Sequence, residues 1–279
     1  MRNIMTIDVE EFFHAENVRK AYPEMTWDQI PRRSGLLVDR MLTALRERGV
    51  RATFFVLGWL AEREPGLVRR IAHEGHEIGC HGYGHRMIGR MTRQQFRDDV
   101  RRAAGLLAEI VGRAPTCFRA ATFSVNADTL WALDVLRDEG FTADSSIYPV
   151  RRRRYGMPGA PRHPFVHPNG LREYPMSVVD FCGRALPVSG GGFFRFWPLS
   201  FTAWAIRKIN SEGRPYVFYI HPWETDTSEP RTGGLSALER FQHYCNRRGA
   251  LGRFRRLLRT FSWCSLQEWE ASHAENAER

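Results

Sequence analysis

Cysteine is scarce and shows no pairing pattern: there are five in 279 residues, an odd number with no Cys-x-x-Cys. That excludes a disulfide framework and a cysteine-ligated zinc site, and leaves Cys80, Cys117, Cys182, Cys245 and Cys264 as reduced packing residues. Lysine is almost missing. All but two of the 41 basic residues are arginine, the exceptions being Lys20 and Lys208, and the net charge is +10. The arginines are scattered and carry no nucleic-acid-binding signature, so nucleic acid is not an expected partner. They read as a solvated surface, with peripheral contact to an anionic membrane face as the functional alternative. No apolar run approaches the ~18 residues of a membrane-spanning helix, and an acidic strand comes before any signal-peptide core could form. The expectation is a soluble, cytoplasmic protein that meets the inner membrane at most from its surface.

Apolar residues make up 43% and aromatics 12%, ample for a large core. Strand-length apolar runs alternate with segments of helical period, which signals parallel strands joined by crossover helices. The runs predict strands over Asn3–Val9, Ala52–Leu57, Glu77–Cys80, Cys117–Arg119, Thr142–Asp144, Leu171–Val178 and Tyr216–Ile220. One-sided stripes predict helices: Leu36, Leu37, Met41, Leu42 and Leu45; Leu67, Val68 and Ile71; Phe96, Val100, Ala103, Ala104 and Leu107. Gly49, Gly75 and Gly140 stop the helices that precede strands.

Two regions break the rhythm. Residues 150–170 are rich in Arg, Pro and Gly and hold the one compact basic cluster, Arg151-Arg152-Arg153-Arg154, so they read as a surface excursion. Residues 189–206 place Phe193, Phe194, Phe196, Trp197, Phe201 and Trp204 after a glycine run, and aromatics at that density are expected in the core. The domain expectation is a catalytic domain over 1–225 and a basic helical extension over 226–279, packed on it.

His81-Gly82-Tyr83-Gly84-His85 follows the strand Glu77–Cys80 and can aim two imidazoles at one metal ion. His163 and His167 have the same spacing, but flanking prolines and no anchoring strand make them a decoy. Asp8 and Glu10 stand two apart at a strand end and so face one side; Glu11 points elsewhere. With Arg119, Asp144 and His221 they lie at the carboxyl ends of strands, which in an α/β barrel converge on one mouth. One carboxylate and two imidazoles form a three-ligand zinc set with an open position. One of the two carboxylates can bind metal with the imidazoles while the other acts as general base. His221 suits a general acid, and Arg119 a partner that orients the base.

These blocks resemble the polysaccharide deacetylases of the NodB-homology class of carbohydrate esterases. The likeness rests on Thr6-Ile7-Asp8-Val9-Glu10, Ala52–Gly58, Gly75–His85, Phe118–Ser124, Asp144-Ser145-Ser146 and Ile220-His221-Pro222-Trp223, in the family's order. Asp8-Val9-Glu10-Glu11-Phe12-Phe13, Ser189–Arg195 and His221–Glu224 resemble the subgroup associated with exosortase/PEP-CTERM exopolysaccharide loci. The resemblance implies an α/β fold, a distorted, incomplete (β/α) barrel of seven strands, and a divalent metal, zinc first. It also implies hydrolysis of N-acetyl groups on a polysaccharide or lipid-linked glycan. Asp8-Val9-Glu10 replaces the family's Asp-Asp pair, and the resemblance implies Asp8 as the metal ligand with His81 and His85 and Glu10 as the base, with exchange of the two possible, and Asp144 as the residue that orients His221. The alternatives are an O-acetyl esterase or small-amide amidohydrolase, and a glycan-binding or assembly protein without turnover.

Overall fold

The structure, a computed structural model, describes residues 1–152 and 155–277. Arg153 and Arg154 of the basic cluster therefore lie outside the described residues. In chain order the strands are Asn3–Val9 (β1), Thr53–Val56 (β2), Glu77–Cys80 (β3), Cys117–Phe118 (β4), Ala143–Asp144 (β5) and Phe165–Val166 (β6). Then come Arg172–Glu173 (β7), Val178–Phe181 (β8), Arg184–Pro187 (β9), Val217–Ile220 (β10) and Trp263–Cys264 (β11). The helices are Ser34–Arg46 (α1), Gly58–Arg63 (α2), Pro65–His73 (α3), Arg93–Val111 (α4) and Trp131–Asp138 (α5). They continue with Gly191–Phe196 (α6), Leu199–Ser211 (α7), Ala237–Tyr244 (α8), Arg247–Thr260 (α9) and Leu266–Ala277 (α10).

The sheet runs β10-β1-β2-β3-β4-β5-β7-β6, with β11 also paired to β1. From β10 through β7 every neighbouring pair is parallel; β6 closes the edge antiparallel to β7. The sheet curls without closing, the expected incomplete α/β barrel. The expected strand over Leu171–Val178 is instead two: β7 in the barrel sheet, and β8 in a separate hairpin with β9. Pro175 removes a backbone donor between them, which ends β7. β8 and β9 escaped because they pair only with each other and are partly exposed, without a buried apolar run, and β6 and β11 because they are two residues long.

Period-two alternation sorts the strand residues to two faces. Ile4, Phe55, Cys117, Ala143, Val217 and Tyr219 form the core inside the curl, while Ile7, Val9, Phe54, Val56, Cys80 and Phe118 pack outward beneath the helices. Gly49, Gly75 and Gly140 all adopt left-handed φ (60°, 82°, 90°), as their helix-stopping role requires. On α1, Leu37, Met41, Leu42 and Leu45 are buried as expected, but Leu36 is 58% exposed because the stripe turns past it. The 189–206 segment departs furthest from its expected core role. Phe194 is fully buried, yet Phe196 and Trp204 stay 48% and 42% exposed, since α6 and α7 lie on the rim and only one face of each meets the barrel.

Asp144 and Glu173 sit directly across from each other in the β5–β7 register. Both are buried. Asp144 accepts from Ser146 Oγ (2.6 Å) and Ser146 N (3.2 Å), and Glu173 accepts from Ile147 N (3.0 Å). Burial pushes both carboxyls up, Glu173 to about 7, and the charge of Glu173 adds to the rise of Asp144. Two carboxylates side by side hold a proton that the unfolded chain, with carboxyl pKa values of about 4, releases. The folded state thus binds more protons between those limits, so stability is lost as pH rises through that window. The urea midpoint should fall from pH 5 to pH 8, and fall less in Glu173→Gln; equal slopes would refute the buried pair's role.

Gly79, in the middle of β3, is required by packing. A methyl group there would lie 2.6 Å from Phe55 Cδ1 and 2.8 Å from Cys117 Sγ. Gly79→Ala should therefore destabilise the protein by about 1–3 kcal/mol through overpacking, read as a lowered denaturant midpoint at unchanged m-value.

Candidate active site

The histidine turn is built by its neighbours rather than by its own sequence. His81 continues from β3 with its N–H donating to Val56 O (3.1 Å). Asp99 of α4 receives the N–H groups of Tyr83 (2.7 Å) and Gly84 (3.3 Å), cradling the loop between the two histidines. Gly82 has φ 72°, and a Cβ on it would lie 2.8 Å from Asp99 Oδ2, so only glycine fits. His85 itself is held at φ 48°, a left-handed value that a non-glycine residue keeps only when its surroundings impose it. Arg19 Nη1 donates to His85 O (2.6 Å), and this contact helps impose it.

The two rings meet Glu10. One ligand atom from each of Glu10, His81 and His85 lies within 4.8 Å of the others, and all three residues are buried. Asp8, the expected third ligand, is not in this group. Its Oδ1 accepts from Arg119 Nη1 at 2.7 Å, one level lower in the curl. Glu10, reaching past the end of β1, lies with the imidazoles, and Asp8 pairs with the arginine.

The donor set fits a divalent cation. His81 Nδ1 donates to Arg119 O (2.7 Å), which fixes the tautomer and leaves Nε2 as a lone-pair donor. Burial pushes the His81 pKa down to about 4, keeping the ring neutral. Glu10 Oε2 lies 2.9 Å from His85 Nε2. A buried carboxylate that close to one of two neighbouring imidazoles is the arrangement that ligands of one ion adopt. Burial works against ionisation of Glu10, yet His85, His221 and His81 outweigh it and hold the carboxyl below the usual range.

Arg119 is completely buried and spends its donors on four acceptors. Nη1 donates to Thr6 Oγ1 (2.6 Å) and Asp8 Oδ1, Nε to Ser145 O (3.0 Å), and Nη2 to Ser145 Oγ (2.9 Å). Its guanidinium stacks 4.2 Å from the centre of the Phe55 ring. Asp8 is thus oriented by a cation that cannot turn away.

His221 follows β10 and is 18% exposed, facing the cleft from the opposite wall. Its Nε2 lies 3.4 Å from Glu10 Oε1 and 3.9 Å from Asp8 Oδ2. Asp144 does not orient it. Ala143 packs inside the curl, so strand alternation turns Asp144 to the outer face and away from the mouth. Glu224 does so instead: its Oε2 accepts from His221 Nδ1 (3.0 Å) and from His221 N (3.1 Å). Burial disfavours the imidazolium, but Glu10, Glu224 and Asp8 overcome that and raise the His221 pKa to about 9. Trp223 stacks on His221 at 5.0 Å and donates its indole N–H to Glu10 Oε1 (3.0 Å), tying the two walls together.

These groups open into a cleft of about 830 Å³, whose outer wall carries Arg152, Phe193, Phe196 and Phe241. That volume lies within the range of clefts that take small ligands. Thr122 (φ 57°) and Phe123 (φ 50°) form a strained left-handed pair on the cleft floor. Glu11 points away and caps α1, accepting from Arg33 N, Ser34 N and Ser34 Oγ. The decoy His167 lies 3.5 Å from Glu173, remote from the two-histidine cluster. Sequence reasoning missed Asp99, Glu224 and Arg195 as site-building residues. The last two were visible as the fourth residue of His-Pro-Trp-Glu and the end of the Gly-Gly-Gly-Phe-Phe-Arg run.

Among the described residues no helix is long and apolar enough to cross a membrane. Residues 15–143 match the family described as polysaccharide deacetylase, and residues 145–271 match a domain of unknown function, DUF3473. The chain is similar to a peptidoglycan-N-acetylglucosamine deacetylase of Bacillus cereus, 29% identical over 66% of this chain and 71% of the relative. It is also similar to a peptidoglycan-N-acetylglucosamine deacetylase of Listeria monocytogenes, 31% identical over 37% of this chain, although it spans only 22% of that longer protein. In fold it follows the crystal structure of a protein from Mycobacterium smegmatis titled a putative polysaccharide deacetylase, with a TM-score of 0.63 at 23% identity over 100% of this chain and 92% of that one. Glu10, His81, His85, Arg119 and His221 thus gather at the mouth of a fold whose N-terminal half is similar to the polysaccharide deacetylase family and whose C-terminal half matches the DUF3473 region.

Proposed function

We propose that this protein is a metal-dependent hydrolase that removes N-acetyl groups from an N-acetylglucosamine-type polysaccharide, in the setting of bacterial exopolysaccharide synthesis. The observation that carries the proposal is the convergence of a Glu-His-His donor set, an arginine-held aspartate and a carboxylate-held histidine on one cleft. The names of the Bacillus and Listeria relatives support an acetamide on a sugar as the bond broken. In this reading residues 1–225 carry the reacting groups, and 226–279 form an extension packed on them.

Glu10, His81 and His85 would hold the metal, zinc first given one carboxylate and two imidazoles. When bound, such an ion polarises a carbonyl and acidifies water. Asp8 takes the proton of the attacking water. Arg119 holds Asp8 Oδ1, which leaves Oδ2 on the side of His221. The water oxygen bonds to the acetyl carbon, and a backbone N–H near Thr122 receives the developing oxyanion. His221 gives its proton to the sugar nitrogen as the C–N bond breaks, releasing acetate and a free amine.

The assignment is tested by measuring metal content and acetate release together, on N-acetylglucosamine oligomers with zinc or a chelator added. Wild type should release acetate in a chelator-sensitive way. Glu10→Ala and His81→Ala should lose both metal and activity, whereas Asp8→Asn should keep the metal and lose roughly 10²–10⁴-fold in kcat. Loss of metal from Asp8→Asn with retention in Glu10→Gln would return the two carboxylates to the opposite roles.

A further inference from the structure

The acid side of the cleft is supported by residues for which neither matched region has an assigned task. His221, Glu224 and Arg195 all lie within residues 145–271, the DUF3473 region, and beyond the polysaccharide deacetylase match at 15–143. Glu224 Oε2 clasps His221 at both its ring and its backbone nitrogen, which fixes the side chain's first torsion as well as its tautomer. Glu224 Oε1 accepts from Arg195 Nε (2.8 Å), and both partners are only 1% exposed. Arg195 is itself anchored. Its Nη1 donates to Cys245 O (2.6 Å) and Nη2 to Gln242 O (2.9 Å), at the carboxyl end of α8, where a cation is favoured by the helix dipole. On the far side of Trp223, His243 stacks at 5.1 Å, so the wall behind His221 is packed throughout.

The glycine run is shaped around this pair. A Cβ on Gly191 would lie 1.4 Å from Glu224 Oε2, so any side chain there displaces the carboxylate. Gly190 takes φ 96°, and its Cβ would fall 1.8 Å from the Tyr219 ring. Residue 190 must turn the chain and residue 191 must leave room, and together they bring Arg195 of α6 onto Glu224.

We propose that Glu224 and Arg195 form the positioning pair of the leaving-group acid, and that this is a task of the DUF3473 region: to hold His221 with Nε2 aimed at the bond being cleaved. This rests on the deacetylase reading above. A buried carboxylate on Nδ1 holds the tautomer that carries its second proton on Nε2, and the arginine keeps that carboxylate from rotating to another partner. Neither residue touches the reacting atoms.

Glu224→Gln and Gly191→Ala test it from two sides, with circular dichroism and zinc stoichiometry as controls for folding and metal. Two substrates separate positioning of the acid from general damage. N-acetylglucosamine oligomers need a proton on the departing amine, whereas 4-nitrophenyl acetate expels a phenolate that needs none. Both variants should lose roughly 10²-fold or more in kcat on the oligomers at little changed KM, and only a few-fold on the aryl ester. An equal loss on both substrates, or undiminished oligomer turnover, overturns the pairing. A readout apart from activity is the downfield imidazole Nδ1 proton of His221 in nuclear magnetic resonance spectra of the metal-free protein. It should be present in wild type and absent in Glu224→Gln; its absence in wild type also overturns the proposal. If wild type shows that proton yet releases no acetate, the clasp stands while the deacetylase reading fails, and with it the role of an acid to be positioned.

Discussion

A guanidinium without solvent exposure sits at the centre of the curl, and the site is arranged around it. Arg119 bonds at once to β1 through Thr6 and Asp8 and to the segment after β5 through Ser145. A buried charge of this kind is tolerated only when paired and fully hydrogen-bonded. Its own carbonyl then accepts from His81, so one residue fixes both the carboxylate and the first imidazole. Phe55 lies flat against the guanidinium, and Gly79 must lack a side chain to let Phe55 lie there. Core packing and site geometry are in this way one constraint.

The arginine-rich composition takes on a local meaning from such positions. Arg119, Arg195 and Arg247 are buried, and each uses several nitrogens at fixed angles: Arg247 reaches Glu229 and the carbonyl of His243. A lysine could supply the charge but not the fork. On the surface, Arg97 and Arg101 share Glu139, and Arg63 joins Asp28 and Glu62, so much of the basic excess is already engaged with acids. Such exposed pairs add little to stability, and they are consistent with the solvated surface expected from composition.

Most of the barrel was legible because its strands are apolar runs closed by glycine-stopped helices. Asn3–Val9 and Glu77–Cys80 occur with the predicted bounds, and the inward residues follow period two. What escaped was tertiary in origin. Whether Asp144 faces in or out depends on the phase of a two-residue strand, and only the packing of Ala143 settles it. The aromatic segment looked like core by density, but Phe196 and Trp204 stay exposed, and Phe193 and Phe196 line the cleft. Glu224 was a clearer loss. A carboxylate three residues beyond a histidine can return to it when a short turn intervenes, and Pro222 makes that turn.

The spacing of Asp8 and Glu10 follows from the same geometry. Adjacent carboxylates on a regular strand would point to opposite faces, and one of them would enter the apolar layer under the helices. Placing Val9 between them fills that layer and keeps both acids on the inner face. Two residues advance a strand by ~6.6 Å, so the second acid stands a full level above the first. At the lower level Asp8 meets Arg119. At the upper one the chain has left the sheet, and the longer glutamate side chain reaches across to the histidine turn while Trp223 holds its other oxygen. The separation in height gives the two acids different neighbours: the lower one is held by the arginine, and the upper one stands at the mouth beside the two imidazoles.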